Sequence, residues 1–259
     1  MASGIYVSMG AARNQEHRME TLSNDLANAN TPGFKSQEAI YRQVHNDVTA
    51  MGSSKQAMGV NHPVRFLPED RLPVALVDRY TKFGQGSFRH TGNELDLAIN
   101  GQGFFTIQGE KGPVYTRNGT FTLNKDGLLT DQQGNAVLSD TGKTIQAPGA
   151  TGKVGVSSDG LVLVDGDTIG KLGVVEFKNP QALERLGNSN FRHPDPNFVP
   201  GPAENIDVRQ GFLETANVNP VHTMAMLVKT NRLFELNTRA LQAYKAMDDQ
   251  AARDVGRLS

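Results

Sequence analysis

Cysteine is absent from this chain, and so is tryptophan. Without cysteine there are no disulfides, no thiol nucleophile and no thiolate metal site. The same absence suits a chain that crosses redox compartments, because nothing can mispair. Aromatic residues are only 7% of the chain, against 27 glycines, so many tight turns are expected and not a dense core. Neither sign of charge is in excess: 26 Lys and Arg face 27 Asp and Glu, for a formal net charge of -1. That balance gives no electrostatic footing for nucleic acid. No window approaches the run of about 20 apolar residues that a spanning helix needs. Membrane insertion is therefore not expected. The opening Met1 to Tyr6 has neither a basic nor an apolar region of the secretory kind, so no cleaved signal is expected. At 259 residues the chain suits one large domain or two smaller ones.

Catalytic patterns are equally scarce. The histidines stand at 17, 45, 62, 90, 193 and 222, with no HxH or HxxxH spacing, so no metal site is expected. There is no GxSxG elbow. Gly101-Gln102-Gly103 resembles the start of a dinucleotide loop, but no helix follows it, so no cofactor is expected. Glu94 and Asp96 stand two apart and on a strand would share a face. A glycosidase could use such a pair, but a solvated strand face is the preferred reading. Asp126-Gly127, Asp159-Gly160 and Asp165-Gly166 lack the calcium-loop pattern and read as turns.

What is present lies first at the two ends. Asn219-Pro220 is a helix start: Asn can accept a free N–H of the first turn, and Pro loses nothing at the first helical position. Apolar pairs then recur seven apart, at Met226/Leu227, Leu233/Phe234 and Ala240/Leu241, with Met247 following and Tyr244 and Ala251 between. No Gly or Pro interrupts until Gly256. About 35 residues at about 1.5 Å each make a rod of about 50 Å. The N-terminal end repeats the pattern with Ile5, Ala12, Met19 and Leu26 seven apart, plus Leu22 and Ala29. That is a heptad-like seam. It stops at Asn30-Thr31-Pro32-Gly33, where Pro cannot continue a helix. Isolated amphipathic helices are marginal in water, so these two need packing partners.

The middle reads as strands and turns. Residues 36–73 form an extended arm, with a Gly/Ser/Met-rich loop at 50–64. From Val74 onward short strands alternate with turn signals every eight to twelve residues, the mark of an antiparallel all-β domain. Leu95, Leu97 and Ile99 are expected to point inward, and Asn100-Gly101 to turn a hairpin into Phe104-Phe105-Thr106-Ile107. Pro180 to Leu186 reads as a short helix. Gln210 to Glu214 reads as one last strand. Arg117 is the β-domain charge that stands out, either as partner of a strand-edge carboxylate or as an assembly contact. The expected fold is α+β, with long terminal helices pairing as a coiled-coil-like unit around an inserted antiparallel β domain. The expected divisions are 1–35 helix, 36–73 arm, 74–205 β domain, 206–219 return strand and 220–259 helix.

Four blocks carry a resemblance. Leu22-Ser23-Asn24-Asp25-Leu26-Ala27-Asn28-Ala29-Asn30-Thr31-Pro32-Gly33-Phe34-Lys35 resembles the N-terminal signature of bacterial flagellar rod and hook proteins. Leu95 to Phe105, with Gly101, Gly103, Phe104 and Phe105, is similar to a second block of that family. Tyr115-Thr116-Arg117-Asn118-Gly119-Thr120-Phe121 is a third, and Glu214-Thr215-Ala216-Asn217-Val218-Asn219-Pro220 a fourth. Length points away from hook proteins and from the smallest rod proteins. The opening Gly4 to Ala11 is more like the proximal rod branch than the distal one. The resemblance implies a non-catalytic axial subunit of the basal body in the periplasm, passed through the flagellar export apparatus. Its partners would be copies of itself and other rod proteins. A seam of Ile5, Ala12, Met19, Leu22, Leu26, Leu227, Leu233, Phe234, Leu241, Tyr244 and Met247 would form the assembly interface. One departure stands out: many relatives place an acid in the first turn of the last helix, and here that turn holds Val221, His222 and Thr223. A cell-wall-acting enzyme using Glu94 and Asp96 is the alternative from another class.

Overall fold

The structure, a computed structural model, describes residues 2–43, 74–147, 154–195, 197–203 and 207–256. Helix α1 spans Ala2–Ala27 and helix α2 spans Pro220–Gly256. The second begins at the proline following Asn219 and ends at the first glycine, as the sequence dictates. Its 37 residues make a rod of about 55 Å. Arg253 sits in its last turn, where a cation favours the negative end of the helix dipole, and its first turn holds no acid. Helix α1 stops earlier than Asn30. Tight turns follow, with Ala29 N–H donating to Leu26 O at 3.2 Å and Thr31 N–H to Asn28 O at 3.0 Å.

The strands, in chain order, are β1 (Gln37–Gln43), β2 (Val74–Thr81), β3 (Phe88–His90), β4 (Leu97–Asn100), β5 (Phe104–Gly109), β6 (Gly112–Thr116), β7 (Thr122–Leu123), β8 (Leu129–Thr130) and β9 (Val154–Val156). They continue with β10 (Leu161–Val164), β11 (Asp167–Lys171), β12 (Val174–Glu176), β13 (Glu184–Gly187), β14 (Asn190–Arg192), β15 (Gly201–Pro202), β16 (Asp207–Gln210) and β17 (Phe212–Glu214). The fold is thus α+β.

The chain divides into two compact units. Unit 1 comprises Met1–Asn24, Gln37–Tyr80 and Val221–Ser259, and unit 2 comprises Asp25–Ser36 and Thr81–Pro220. In unit 1, β1 and β2 pair as a two-stranded ribbon. The Tyr41 hydroxyl donates to Asn14 O at 3.1 Å and Arg79 pairs with Glu20 at 3.2 Å, which holds the ribbon against α1. The expected loop at 50–64 lies outside the described residues.

Unit 2 is built on a six-stranded antiparallel sheet in the order β13-β14-β6-β5-β12-β15. The first four residues of β5, Phe104 to Ile107, are all buried, so both faces of the strand are covered there. Phe105 and Ile107 enter one core with Leu97, Ile99, Phe121 and Val137. Phe104 points the other way, into a second core with Tyr115, Phe177, Leu183 and Phe191. Edge-on aromatic pairs recur there, Phe104 with Phe177 at 5.7 Å and Tyr115 with Phe177 at 4.8 Å.

Several expectations are corrected. Asn100-Gly101 does turn the chain, with Gly101 at φ 105°, but no hairpin forms: β4 pairs with β16, while β5 pairs with β6 and β12. Local turn chemistry was right and strand partnership was not. Pro180–Ala182 is a single 3-10 turn, and the helix-favouring residues after it become strand β13, paired with β14. Burial of Leu183 in the aromatic core outweighs intrinsic propensity. The last strand is two, β16 and β17, broken at Gly211 with φ 78°, and each joins a different sheet. Glu94 and Asp96 do not share a strand face. Residues 93–95 precede β4 as a turn, with Asp96 N–H donating to Asn93 O at 3.1 Å. Asp96 is buried there, holding Asn93 Nδ2 at 3.0 Å, while Glu94 is exposed.

Candidate functional site

The quoted blocks converge inside unit 2 on three buried charges. Lys35 and Glu214 are each 1% exposed and Arg117 is 5% exposed. Lys35 Nζ donates to Glu214 Oε1 at 2.6 Å and to Gly84 O at 2.9 Å. Gly86 N–H donates to the same carboxylate oxygen at 2.8 Å. Arg117 Nη1 reaches Glu214 Oε2 at 3.4 Å, and Arg117 Nη2 donates to Gly101 O at 2.8 Å. Its guanidinium also lies over the Phe104 ring, 5.2 Å from the centroid. One carboxylate therefore serves two cations. Burial pushes the Lys35 ammonium below its ordinary range and Glu214 opposes that push. Burial acts on Arg117 in the same direction, again opposed by Glu214. Arg117 Nε is buried without a hydrogen-bond partner among the described residues.

The neutral residues of the blocks bring the charges close. Gly33 has φ +67° and its N–H donates to Glu214 O at 2.8 Å; a Cβ there would run into the backbone of Arg117. At Gly119 a Cβ would collide with Leu97 O, and at Gly86 with Thr215 O. These are close backbone crossings that admit no side chain. Asn217 stitches three segments: its Oδ1 accepts from Ser36 N–H at 2.7 Å, and its Nδ2 donates to Lys82 O at 2.7 Å and Gly84 O at 3.0 Å. Asn118 Oδ1 accepts from Thr120 N–H at 3.1 Å, and Asn28 Oδ1 accepts from the Thr31 hydroxyl at 3.3 Å, so both close turns. Phe34 is buried beneath Arg185, whose guanidinium lies 4.7 Å from the ring and donates to Lys35 O at 2.9 Å. Gly103 is buried in the turn at φ +147°. Asn24 is exposed on α1. Sequence reasoning singled out Arg117 but overlooked Lys35 and Glu214. Both stand inside quoted blocks, as the charged members of largely apolar or small-residue motifs.

The helices present a different surface. On α1, Ile5, Met19, Leu22 and Leu26 are half-buried and Ala12 is buried at 8%. Among the less exposed positions of α2, Thr223, Leu227, Thr230, Phe234, Asn237, Leu241, Tyr244, Asp248 and Ala251 alternate four and three apart, with Met226, Thr238 and Ala240 flanking them. That is a heptad seam. Thr223 and Thr230 are its buried members, and Leu227, Phe234, Leu241 and Tyr244 are half-buried. Leu233 and Met247 lie off the seam, 37% and 46% exposed. A further apolar stripe, Val221, Met224 and Val228, faces solvent at 76%, 52% and 51%.

Chemistry of another kind is poorly served. Glu94 lines a cleft of about 470 Å³ with Asp165 and Gln210. Asp96 does not line it, and the Glu94 carboxylate already accepts from Val154 N–H at 3.2 Å. Among the described residues no group of three His, Asp or Glu could hold a metal. Among the same residues no helix is long and apolar enough to cross a membrane.

Comparison with known proteins agrees with the block pattern. A family described as "Flagella basal body rod protein" matches residues 5–35. "Flagellar hook protein FlgE/F/G D1 domain" matches 98–164, and "Flagellar basal body rod FlgEFG protein C-terminal" matches 209–254. Each matched segment contributes one charge of the cluster: Lys35, Arg117 and Glu214. The chain is 30% identical to the flagellar basal-body rod protein FlgF of Rhizobium meliloti and 31% identical to that of Mesorhizobium japonicum, covering 99% of both chains in each case. It is 28% identical to FlgG of Bacillus subtilis, over 93% of this chain and 94% of the relative. The chain therefore belongs to the flagellar basal-body rod protein family and is more similar to its FlgF members than to its FlgG members.

Proposed function

We propose that this chain is a structural axial subunit of the proximal rod, assembling through its terminal helices and passing torque from motor to hook by rigid packing. The observation that carries this reading is the α2 seam. Its large apolar members, Leu227, Phe234 and Leu241, are only half-buried within one chain. Burying a side chain of that size is worth about 1.5–3 kcal/mol, so neighbouring copies that cover it gain substantially. Repeated head-to-tail contact that does not close generates a helical tube. In this reading residues 1–35 and 220–259 pair as a coiled-coil-like unit, the β1–β2 ribbon stays with α1, and the remainder of 74–205 is held outward as a β domain. Residues 36–73 serve as arm and 206–219 as return strand. Copies of the chain and other rod proteins are the partners. The chain reaches the periplasmic rod through the flagellar export apparatus, and no catalysis is involved.

Leu227→Asp or Phe234→Asp tests the seam. Each is expected to abolish rod assembly and swimming while leaving the circular-dichroism signal of the β strands intact. Normal swimming in either variant would remove the seam from the mechanism. The distal rod is the second reading, favoured by end-to-end similarity to FlgG. Complementation separates the two: the proximal assignment requires rescue of a strain lacking FlgF and failure in one lacking FlgG.

A further inference from the structure

We propose that Glu214 is the closing piece of a whole-chain lock: unit 2 reaches its native state only when the return strand delivers this carboxylate between Lys35 and Arg117. The proposal stands on geometry and does not depend on the assembly reading. Glu214 lies 179 residues from Lys35, 128 from Gly86 and 97 from Arg117 in the chain, yet touches all three. Among the described residues it is the carboxylate that pairs with either cation. Until it arrives, burying Lys35 and Arg117 means bringing two like charges together out of water. Desolvation makes an unpaired buried charge far costlier than a paired one.

The backbone repeats the dependence. Gly33 N–H donates to Glu214 O at 2.8 Å, Thr215 N–H to Ser87 O at 2.8 Å and Asn217 N–H to Phe34 O at 3.3 Å. Strand β17 pairs with β3 and β16 with β4. Segment 33–36 and strands β3 and β4 thus each take partners from residues 207–217, beside the bonds that Lys82 N–H gives Ser36 O and Arg185 gives Lys35 O. A chain emerging N-terminus first can form the β5–β6 hairpin early, since it is local. It cannot seat 33–36, because the anion that holds that segment lies near the far end.

Hydrogen exchange on the full chain tests the lock. In Glu214→Ala, exchange at Phe105 and Ile107 is expected to accelerate together with exchange at Gly33, by about a hundredfold or more. Sodium acetate is expected to reverse part of that acceleration relative to sodium chloride at equal ionic strength, because a small carboxylate can occupy the vacated place. Acceleration confined to Gly33, Ser36 and Gly86, with Phe105 and Ile107 at their original rates, would reduce the cluster to a local clasp and overturn the proposal. Equal acceleration in the two salts would overturn the role of the charge. Should Glu214→Ala fail to fold in either salt, Glu214→Gln decides by the same criterion at Phe105 and Ile107.

Discussion

Unit 2 and the long helix α2 solve opposite problems with the same kinds of residue. Unit 2 hides a charge cluster and most of its aromatics: Lys35, Glu214, Phe105 and Phe191 are all at or below 1% exposure. Helix α2 leaves Phe234 and Leu241 half-covered and Val221, Met224 and Val228 in solvent. Isolated exposed apolar residues need no explanation, but a stripe at helical spacing does. The contrast separates a region with two closed cores from a helix that still has a run of apolar area to bury. In unit 2 a substitution is felt through folding. On the exposed faces of α2, in the proposed assembly, it would be felt through association.

Breaking that contrast takes substitutions on both sides of it. Phe105→Ala should have the largest effect. Phe105 is fully buried and stacks edge-on against Phe121 at 5.2 Å, so truncation is expected to cost about 3–5 kcal/mol in urea melts. Loss below about 1 kcal/mol would mean that the core is not closed. Lys35→Met comes next and is read through pH. The folded-state pKa of Lys35 lies below its unfolded value, so in the window between the two the unfolded chain binds more protons. Stability from this group is therefore full above the unfolded value, near 10.5, and is lost as pH falls through the folded one. Tyr41 and Tyr115, whose pKa values burial raises, act in the opposite direction above about pH 10, so the lysine is read as a difference: from pH 8 to 11 the parent chain is expected to gain stability relative to Lys35→Met. A parent-minus-variant difference that stays flat or shrinks across this range would contradict the burial argument. Val228→Ser should have the smallest effect on one molecule, within about 0.5 kcal/mol. It is nonetheless expected to weaken polymerisation, measured by light scattering or sedimentation. Unchanged polymerisation would leave the stripe without a role.

The parts of the fold legible in the sequence were those decided locally. Asn219-Pro220 and Gly256 bound α2 because capping and helix breaking depend on a few neighbouring residues. Asp165-Gly166 turns β10 into β11 because positive φ is a local demand. What escaped was decided at long range. Nothing near Asn100-Gly101 reveals that β4 pairs with β16 more than 100 residues away. Leu183 joined an aromatic core that no helical spacing could show. The cluster was half legible: Arg117 drew notice as an isolated charge between turns, and a strand-edge carboxylate was one expected partner. Naming Glu214 required knowing that β17 returns beside Gly33 and Gly86.

Three glycines carry the last consequence. Gly33, Gly86 and Gly119 stand where one main chain rests directly on another, and a single methyl group has no room at any of them. They offer no charge, no hydrogen-bonding side chain and no greasy surface. A saturation-mutagenesis survey should nevertheless find them among the least replaceable positions of the chain, less forgiving than many of the half-exposed leucines. In this molecule intolerance to change will trace the spacing between strands of backbone, and a search for invariant functional groups would pass those three sites by.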